Sequence, residues 1–241
     1  MPRPLRTDYP GATHHVYVRG VNRSAVAVDE DDYLRVLGLL ERVVSRFDIQ
    51  CHAWCFLPNH SHLLLTSREG NVSKAMQWLG SCTARTFNDR HERSGHLYQG
   101  RFGSKLVEDD GYFLELARYV ALNPARAGLC EEPADWPWSS YRATAGLQPR
   151  PRYLDSGVVV GLLGSESAYI EWVANGLDHL PLDEHGVPPP PPRPTLDELL
   201  PVDSDRAIAL AHFRYGYSRI AIAQHLGVGR WQIGRRLALL A

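Results

Sequence analysis

Ile49-Gln-Cys-His-Ala-Trp-Cys-Phe-Leu57, the turn Pro58-Asn59, and His60-Ser-His-Leu-Leu-Leu-Thr66 decide the fold: one extended run, a turn and a second extended run. His14–Arg19 alternates and carries β-branched residues, so it reads as a further strand. Asp29–Asp32 makes an acidic, cap-like entry to a helix whose apolar residues Leu34, Leu37, Leu40, Val43 and Val44 fall at helical spacing. Ser73–Asn88 is predicted helical, with Met76, Leu79 and Thr83 on one stripe. Arg101–Val107 reads as a fourth strand. Asp109-Asp110 then caps a helix, Asp109–Asn123, that Pro124 is expected to end. The order β-α-β-β-α-β-α predicts an α+β chain of the ferredoxin-like, split βαβ plan. In it an antiparallel sheet carries its helices on one face, with Val16, Val18, Leu63 and Leu65 supplying the sheet's side of the core.

This body is expected over residues 1–145. Residues 146–186 read as a poorly defined helical extension with a short helix near Glu166–Ala174. Residues 187–194, Val-Pro-Pro-Pro-Pro-Pro-Arg-Pro, form a proline-rich linker, extended and semi-rigid. Residues 195–241 read as three short helices, Ser204–Arg214, Ser218–Leu226 and Arg230–Leu237. Gly227 sits at the turn between the last two, and Ala223 where they would cross. That pattern predicts a small all-α, helix-turn-helix-like module. Its last helix carries Arg230, Gln232, Arg235 and Arg236, residue types suited to phosphates and base edges. A small interaction or dimerisation module is the competing reading of this tail.

No apolar run approaches the roughly 20 residues a membrane span needs, and no apolar stretch follows the basic start of the chain as a leader would. A cytoplasmic protein without a membrane partner is expected. Cys51, Cys55, Cys82 and Cys130 show no disulfide-like spacing, and Cys51-His-Ala-Trp-Cys55 lacks the second pair that a zinc site would need. Two half-buried strand cysteines account for it better. The formal charge of −1 is unusual for a nucleic-acid enzyme. Its distribution is not: residues 201–241 carry six Arg against two Asp, whereas 146–200 carry three Arg against eight acidic residues.

Side chains at i and i+2 of a strand share a face, so His60 and His62 project together while Ser61, Leu63 and Leu65 point away. Two adjacent imidazoles suit a divalent metal, and equally a solvated sheet face. In the Asp109–Asn123 helix, Phe113, Leu116, Ala117 and Val120 form the packing face. Tyr119 and Asn123 stand one turn apart beside it, so a phenol and a carboxamide can meet the two imidazoles. Tyr112 is a rival phenol on the same stripe, and Pro124 disfavours α geometry at Asn123. Arg19, Arg23, Arg101 and Lys105 are candidates for phosphate contacts. Trp54, Trp78, Trp136 and Trp138 could stack on bases but suit the core better.

The ordered set Tyr9-Pro-Gly-Ala12, His15-Val-Tyr-Val-Arg-Gly-Val-Asn-Arg23, Leu57-Pro-Asn-His-Ser-His-Leu-Leu64, Tyr98-Gln-Gly-Arg-Phe102, Arg118-Tyr-Val-Ala-Leu-Asn-Pro-Ala-Arg-Ala-Gly128 and Asp135-Trp-Pro-Trp-Ser-Ser-Tyr141 resembles the single-tyrosine HUH transposases, specifically their REP-associated branch. It covers roughly residues 3–145. The resemblance implies the ferredoxin-like fold, His60 and His62 as paired metal ligands, Asn123 as the third ligand and Tyr119 as nucleophile. It also implies one Mg²⁺ or Mn²⁺ ion, and single-stranded, hairpin-forming DNA of the repeated extragenic palindrome type as substrate. The residue between the histidines is usually hydrophobic in that family; here it is Ser61, whose hydroxyl needs a partner if buried. The expected activity is metal-dependent cutting and rejoining of single-stranded DNA through a 5′-phosphotyrosine bond, by a transposase or a domesticated relative. The rival readings are a replication or mobilisation initiator of the same chemistry, a non-catalytic DNA-binding regulator with a degenerate body, and a water-using metal phosphoesterase. Monomer and homodimer remain open.

Overall fold

The computed structural model describes residues 7–176, 194–201, 203–209, 211, 217 and 219–238. Most of the proline run, residues 187–193, lies outside these, as does the end of the first tail helix expected to reach Arg214. The chain divides into two compact units, residues 1–189 and 190–241.

The first unit is built on four antiparallel strands, β1 (Ala12–Arg19), β2 (Ile49–Phe56), β3 (His60–Ser67) and β4 (Gly103–Val107), in the order β2-β3-β1-β4. The helices α1 (Glu30–Phe47) and α2 (Val72–Arg90) cover one face, where Val16, Trp54, Leu63 and Leu65 meet Val36, Leu40, Met76 and Leu79. The helix α3 (Asp110–Arg126) lies on the opposite face, packing Phe113, Leu116, Ala117 and Val120 on Ala53, Cys55 and Leu64. Helices on one face, the sequence expectation, is therefore corrected to helices on both. The reason is written in β3: Leu63, Leu64 and Leu65 are consecutive and all buried, so both faces of this central strand exclude water.

Other boundaries shift for local reasons. The α1 face is Tyr33, Val36, Leu40 and Val43, whereas Leu34, expected on it, is exposed. The start of α1 is capped by Asp29, which accepts from the Asp32 amide, and is clamped to the end of α2. There Arg90 reaches Asp29 and Asp32 at 2.7 Å each, and His91 meets Asp32 at 2.9 Å. Strand β4 begins at Gly103, leaving Arg101 outside it and exposed. Pro124 does not end α3, which continues to Arg126. A proline removes one N–H from the ladder, and in the final turn that loss is small enough for packing to override. Asn123, Pro124 and Leu122 are all buried there.

A register shift between Cys51 and Ala53 marks a bulge in β2. One extra residue exchanges the faces of the strand that follows. Cys51 thus enters the α1/α2 core while Ala53 and Cys55 enter the α3 core. Both cysteines are fully buried, more than the half-burial expected, and burial raises both thiol pKa values. The outer edge of β2 is covered by the chain from Trp136 to Ser140. There the Phe56 amide donates to the Trp138 carbonyl (2.9 Å), the Ser140 amide to the Trp54 carbonyl (2.9 Å), and the Trp136 indole to the Phe56 carbonyl (3.0 Å). Trp138 stacks on Tyr33 at 4.6 Å, and Trp54 is buried, so these rings serve packing and not base stacking. Helices α4 (Tyr141–Thr144), α5 (Gly157–Leu163) and α6 (Glu166–Ala174) add Tyr141, Val159, Tyr169 and Val173 to the α3 core.

The second unit contains α7 (Leu196–Leu199), α8 (Asp205–Ala209), α9 (Arg219–Leu226) and α10 (Arg230–Ala238). Its core is Leu200, Ile208, Ala211, Ile222, Ala223, Ile233 and Leu237. Gly227 takes a φ of 66° between α9 and α10, a left-handed turn that glycine makes without strain. Among the described residues no helix is long and apolar enough to cross a membrane.

Fully buried Leu116 anchors α3 to the sheet, and Asp109 caps α3 by accepting from the Tyr112 amide at 2.8 Å. Leu116→Ala is expected to cost about 2–5 kcal/mol of unfolding free energy. Asp109→Ala should cost about 1 kcal/mol. Urea unfolding of the two variants measures both, and a smaller loss for Leu116→Ala than for Asp109→Ala would contradict this packing.

Candidate active site

The site lies between the β1–β3 pair and α3. In the β1–β3 register Arg19 is opposite His60, Tyr17 opposite His62 and His15 opposite Leu64. Directly paired residues share a face, so His15, Tyr17 and Arg19 line up beside His60 and His62 under α3. The loop after β1 sets the entry to β3. The Gly20 amide donates to the Asn59 carbonyl at 2.8 Å, and the Val26 amide to the Pro58 carbonyl at 2.7 Å. Gly20 cannot be larger, because a Cβ there would lie 2.1 Å from the Ser24 carbonyl oxygen. Likewise a Cβ on Gly103 would collide with the Tyr17 ring at 2.2 Å, so the glycine of β4 makes the seat for that ring.

From above, α3 presents Tyr119, Asn123 and Arg126 at i, i+4 and i+7, one stripe of a helix. The i,i+4 relation survives Pro124: the Tyr119 hydroxyl hydrogen-bonds the Asn123 side chain. The hydroxyl also lies 3.4 Å from His62 Nε2, and the Tyr119 ring stands edge-on to those of His62 and His15 at 5.1 and 5.8 Å. Tyr112, the rival, is buried in the core of the sheet face with Phe113 and Val107.

Each histidine uses its inner nitrogen on a neighbour and turns its outer one toward α3. His60 Nδ1 lies 2.6 Å from Asn59 Oδ1, and its Nε2 lies 3.3 Å from Asn123 Oδ1. Asn59 Nδ2 donates to the Arg23 carbonyl at 3.3 Å, which leaves Oδ1 for His60. Both carboxamide oxygens accept only, and a neutral imidazole has one N–H. With that proton on the shorter contact, the Nε2 lone pair of His60 faces the lone pairs of Asn123 Oδ1. His62 Nδ1 lies 3.0 Å from His15 Nε2, and His62 Nε2 points to Tyr119.

Burial is the first cause of the pKa shifts here. It lowers His60 to about 4, helped by Arg19 and opposed by the Asn123 contact. It lowers His62 well below the usual histidine value, helped by His15, His60 and Arg19. Both imidazoles are therefore neutral at neutral pH, the state in which a nitrogen can bind a metal. Burial raises the Tyr119 phenol to about 12, against the opposing pull of Asn123, Arg126 and Arg19.

Two neutral imidazole nitrogens and a carboxamide oxygen converge, and two of the three are acceptors facing one another. This donor set fits a divalent cation. Among the described residues no group of three or more His, Cys, Asp or Glu gathers to hold a metal. None of these three converging groups is a carboxylate.

Of the other residues anticipated from sequence, Arg19 belongs to the site and Lys105 pairs with His15 from β4 on the same sheet face. Arg23 is exposed with a left-handed φ of 58°, and Arg101 is exposed ahead of β4. In the second unit Gln232 and Arg235 are exposed, and the side chain of Arg230 lies outside the described residues. Gln232 Oε1 accepts from the Gly229 amide at 2.9 Å. Arg236 is drawn to Asp203 at 2.5 Å and to Asp205, carboxylates that compete with any phosphate. Sequence reasoning missed His15, Tyr17, Asn59 and Arg126. The alternation His15-x-Tyr17-x-Arg19 and the i+7 spacing from Tyr119 to Arg126 were the available signals. Ser61 is buried and borders a cavity of ≈ 910 Å³ between the sheet, α2 and the 95–102 loop.

Residues 9–123 match the family model described as "Transposase IS200 like". A Haemophilus influenzae protein described as a candidate REP-associated tyrosine transposase is 27% identical over 112 residues, 42% of this chain and 64% of that one. The REP-associated tyrosine transposase of Escherichia coli K12 is 24% identical over 105 residues, 42% of this chain and 60% of that one. The shared part thus spans less than two thirds of either relative. A solved structure of a REP-associated tyrosine transposase bound to a REP hairpin superposes with a TM-score of 0.53 at 21% identity, over 65% of this chain and 93% of that one. That likeness is one of fold. Residues 9–123 of the chain are thus similar to the IS200-like transposases.

Proposed function

We propose that the chain cuts and rejoins single-stranded, hairpin-forming DNA with Tyr119 as nucleophile, aided by one Mg²⁺ or Mn²⁺ held by His60, His62 and Asn123. The observation that carries this reading is the convergence of the Tyr119 hydroxyl, His62 Nε2, His60 Nε2 and Asn123 Oδ1 on one space. Hairpin DNA is favoured by the bound partner of the solved relative.

A divalent cation at that space would neutralise the non-bridging oxygens of the scissile phosphate and lower the cost of their charge. Tyr119, fixed on α3, attacks the phosphorus with its phenolic oxygen. The bond from phosphorus to the 3′ oxygen breaks, the 3′ oxygen leaves as a hydroxyl after gaining a proton, and the phenol loses its own. A 5′-phosphotyrosine link remains, which a second 3′ hydroxyl can reverse to join new ends. Arg19 and Arg126, whose charges already favour the phenolate, are placed to favour the same anion during attack. We further propose that the second unit grips duplex, such as a hairpin stem, through α10. The left-handed turn at Gly227 and the burial of Ile222, Ala223, Ile233 and Leu237 suit a helix-turn-helix, and Gln232 and Arg235 lie exposed on the later helix.

Incubated with Mn²⁺ and end-labelled hairpin DNA, the protein is expected to give a covalent, metal-dependent adduct on a denaturing gel. Tyr119→Phe should abolish it and Tyr112→Phe should retain it; cleavage without an adduct would favour the water-using phosphoesterase. Because the phenol is held at about 12, its ionised fraction at neutral pH is small and grows with pH. Single-turnover cleavage should therefore rise by up to about tenfold per pH unit between roughly pH 6.5 and 9, and a flat profile would contradict phenol ionisation before attack. Arg235→Ala should weaken hairpin binding and lower the steepness of its salt dependence by about one charge. An unchanged salt slope in fluorescence anisotropy would remove α10 from the interface.

A further inference from the structure

His15 is fully buried and, in the chemistry above, touches neither DNA nor the reacting atoms. Its ring lies beside that of His62, with centroids 5.1 Å apart, planes 12° from parallel, and Nε2 of His15 at 3.0 Å from Nδ1 of His62. At that nitrogen spacing the two rings are edge to edge in nearly one plane, so the N–H of one points along the lone pair of the other. We infer that His15 is a positioning residue: by accepting the Nδ1 proton of His62, it fixes the tautomer that leaves His62 Nε2 bare toward Tyr119 and the cation.

The alternative proton arrangement has the opposite effect. If His15 Nε2 carried the proton and donated to His62 Nδ1, the single proton of neutral His62 would sit on Nε2 and close it to a metal. The 2.6 Å contact from His60 Nδ1 to Asn59 Oδ1 has only one sense, because a carboxamide oxygen cannot donate. Asn59 thus does for His60 what His15 does for His62, and the two outer nitrogens come to the same space in the same state. Neighbours that hold a ligating imidazole in this way orient it and make it more basic, and their removal weakens metal affinity by about 10–100-fold. The β1–β3 pairing gives His15 its place: it lies opposite Leu64, two residues along β3 from His62 and on the same face.

The inference rests on the metal reading proposed above, and two measurements separate them. Long-range ¹H–¹⁵N correlation spectra of the metal-free wild-type protein should show His62 protonated on Nδ1; protonation on Nε2 would overturn the inference whatever the metal does. Mn²⁺ uptake, followed by electron paramagnetic resonance in the presence of uncleaved hairpin DNA, should weaken about 10–100-fold in His15→Phe. His15→Gln, whose carboxamide oxygen reaches the place of Nε2 and can accept, should recover affinity to within about threefold on the same physical ground. Thermal midpoints of both variants report any merely structural role, which would lower stability and leave the affinity of folded protein alike in the two. Equal Mn²⁺ affinity in wild type and His15→Phe would overturn the inference and keep the metal reading. A wild-type protein that takes up no Mn²⁺ would remove both. If His15→Phe does not fold, the wild-type tautomer decides.

Discussion

The antiparallel pairing of β1 with β3, in one register, is the constraint on which the rest depends. It sets Arg19 against His60 and Tyr17 against His62, and so gathers the polar residues of two strands on one face. The side-chain period of a strand is two, so a slip by one residue would send both imidazoles into the α1/α2 core and turn Ser61 and Leu63 to α3. That slip is resisted from both sides, because Leu63 and Leu65 fill one core while Leu64 fills the other. The loop from Gly20 to Ala27 then fixes the height of the pair, donating backbone hydrogen bonds to Pro58 and Asn59 just before His60.

Once that face is covered by α3, the physical problem becomes one of burying polar groups. Histidines, a phenol and a carboxamide are withdrawn from water, at a cost unless each finds a partner. The partners lie within the site: Asn59 for His60, His15 for His62, Asn123 for Tyr119. Burial keeps the imidazoles neutral and the phenol protonated, which is a resting state. A phosphodiester and a divalent cation change that balance together, because the site has cationic Arg19 and Arg126 nearby but no carboxylate of its own among the converging groups. In the proposed reaction, the charge needed for chemistry would arrive with the substrate and the cation.

Much of this was legible in the residues. The alternation at His60-x-His62, the Asp29 and Asp109 caps and the i,i+4 pair Tyr119/Asn123 each carry a local rule that packing did not override. What was misread depended on tertiary facts. The run Leu63-Leu64-Leu65 breaks the alternation of a one-sided strand, and it was the sign that helices cover both faces. Pro124 marks the end of a helix by local rules, yet a buried last turn holds it inside one. The bulge near His52 exchanges the faces of β2, which no periodicity in Ile49–Leu57 discloses. His15 was hidden because its partner lies 47 residues away, and only the strand register brings them together. Arg236 reads as a phosphate contact until Asp203, just before α8, and Asp205, its first residue, occupy it.

The central claim is that the Tyr119 oxygen becomes the phosphorus-bearing atom. The most direct measurement is peptide mass spectrometry of the protein after reaction with hairpin DNA and Mn²⁺, followed by nuclease trimming and trypsin. The account expects the residual nucleotide phosphate on the peptide Tyr119–Arg126, attached to the tyrosine. The same mass on a peptide containing Tyr112, or cut DNA with every tyrosine unmodified, would contradict it.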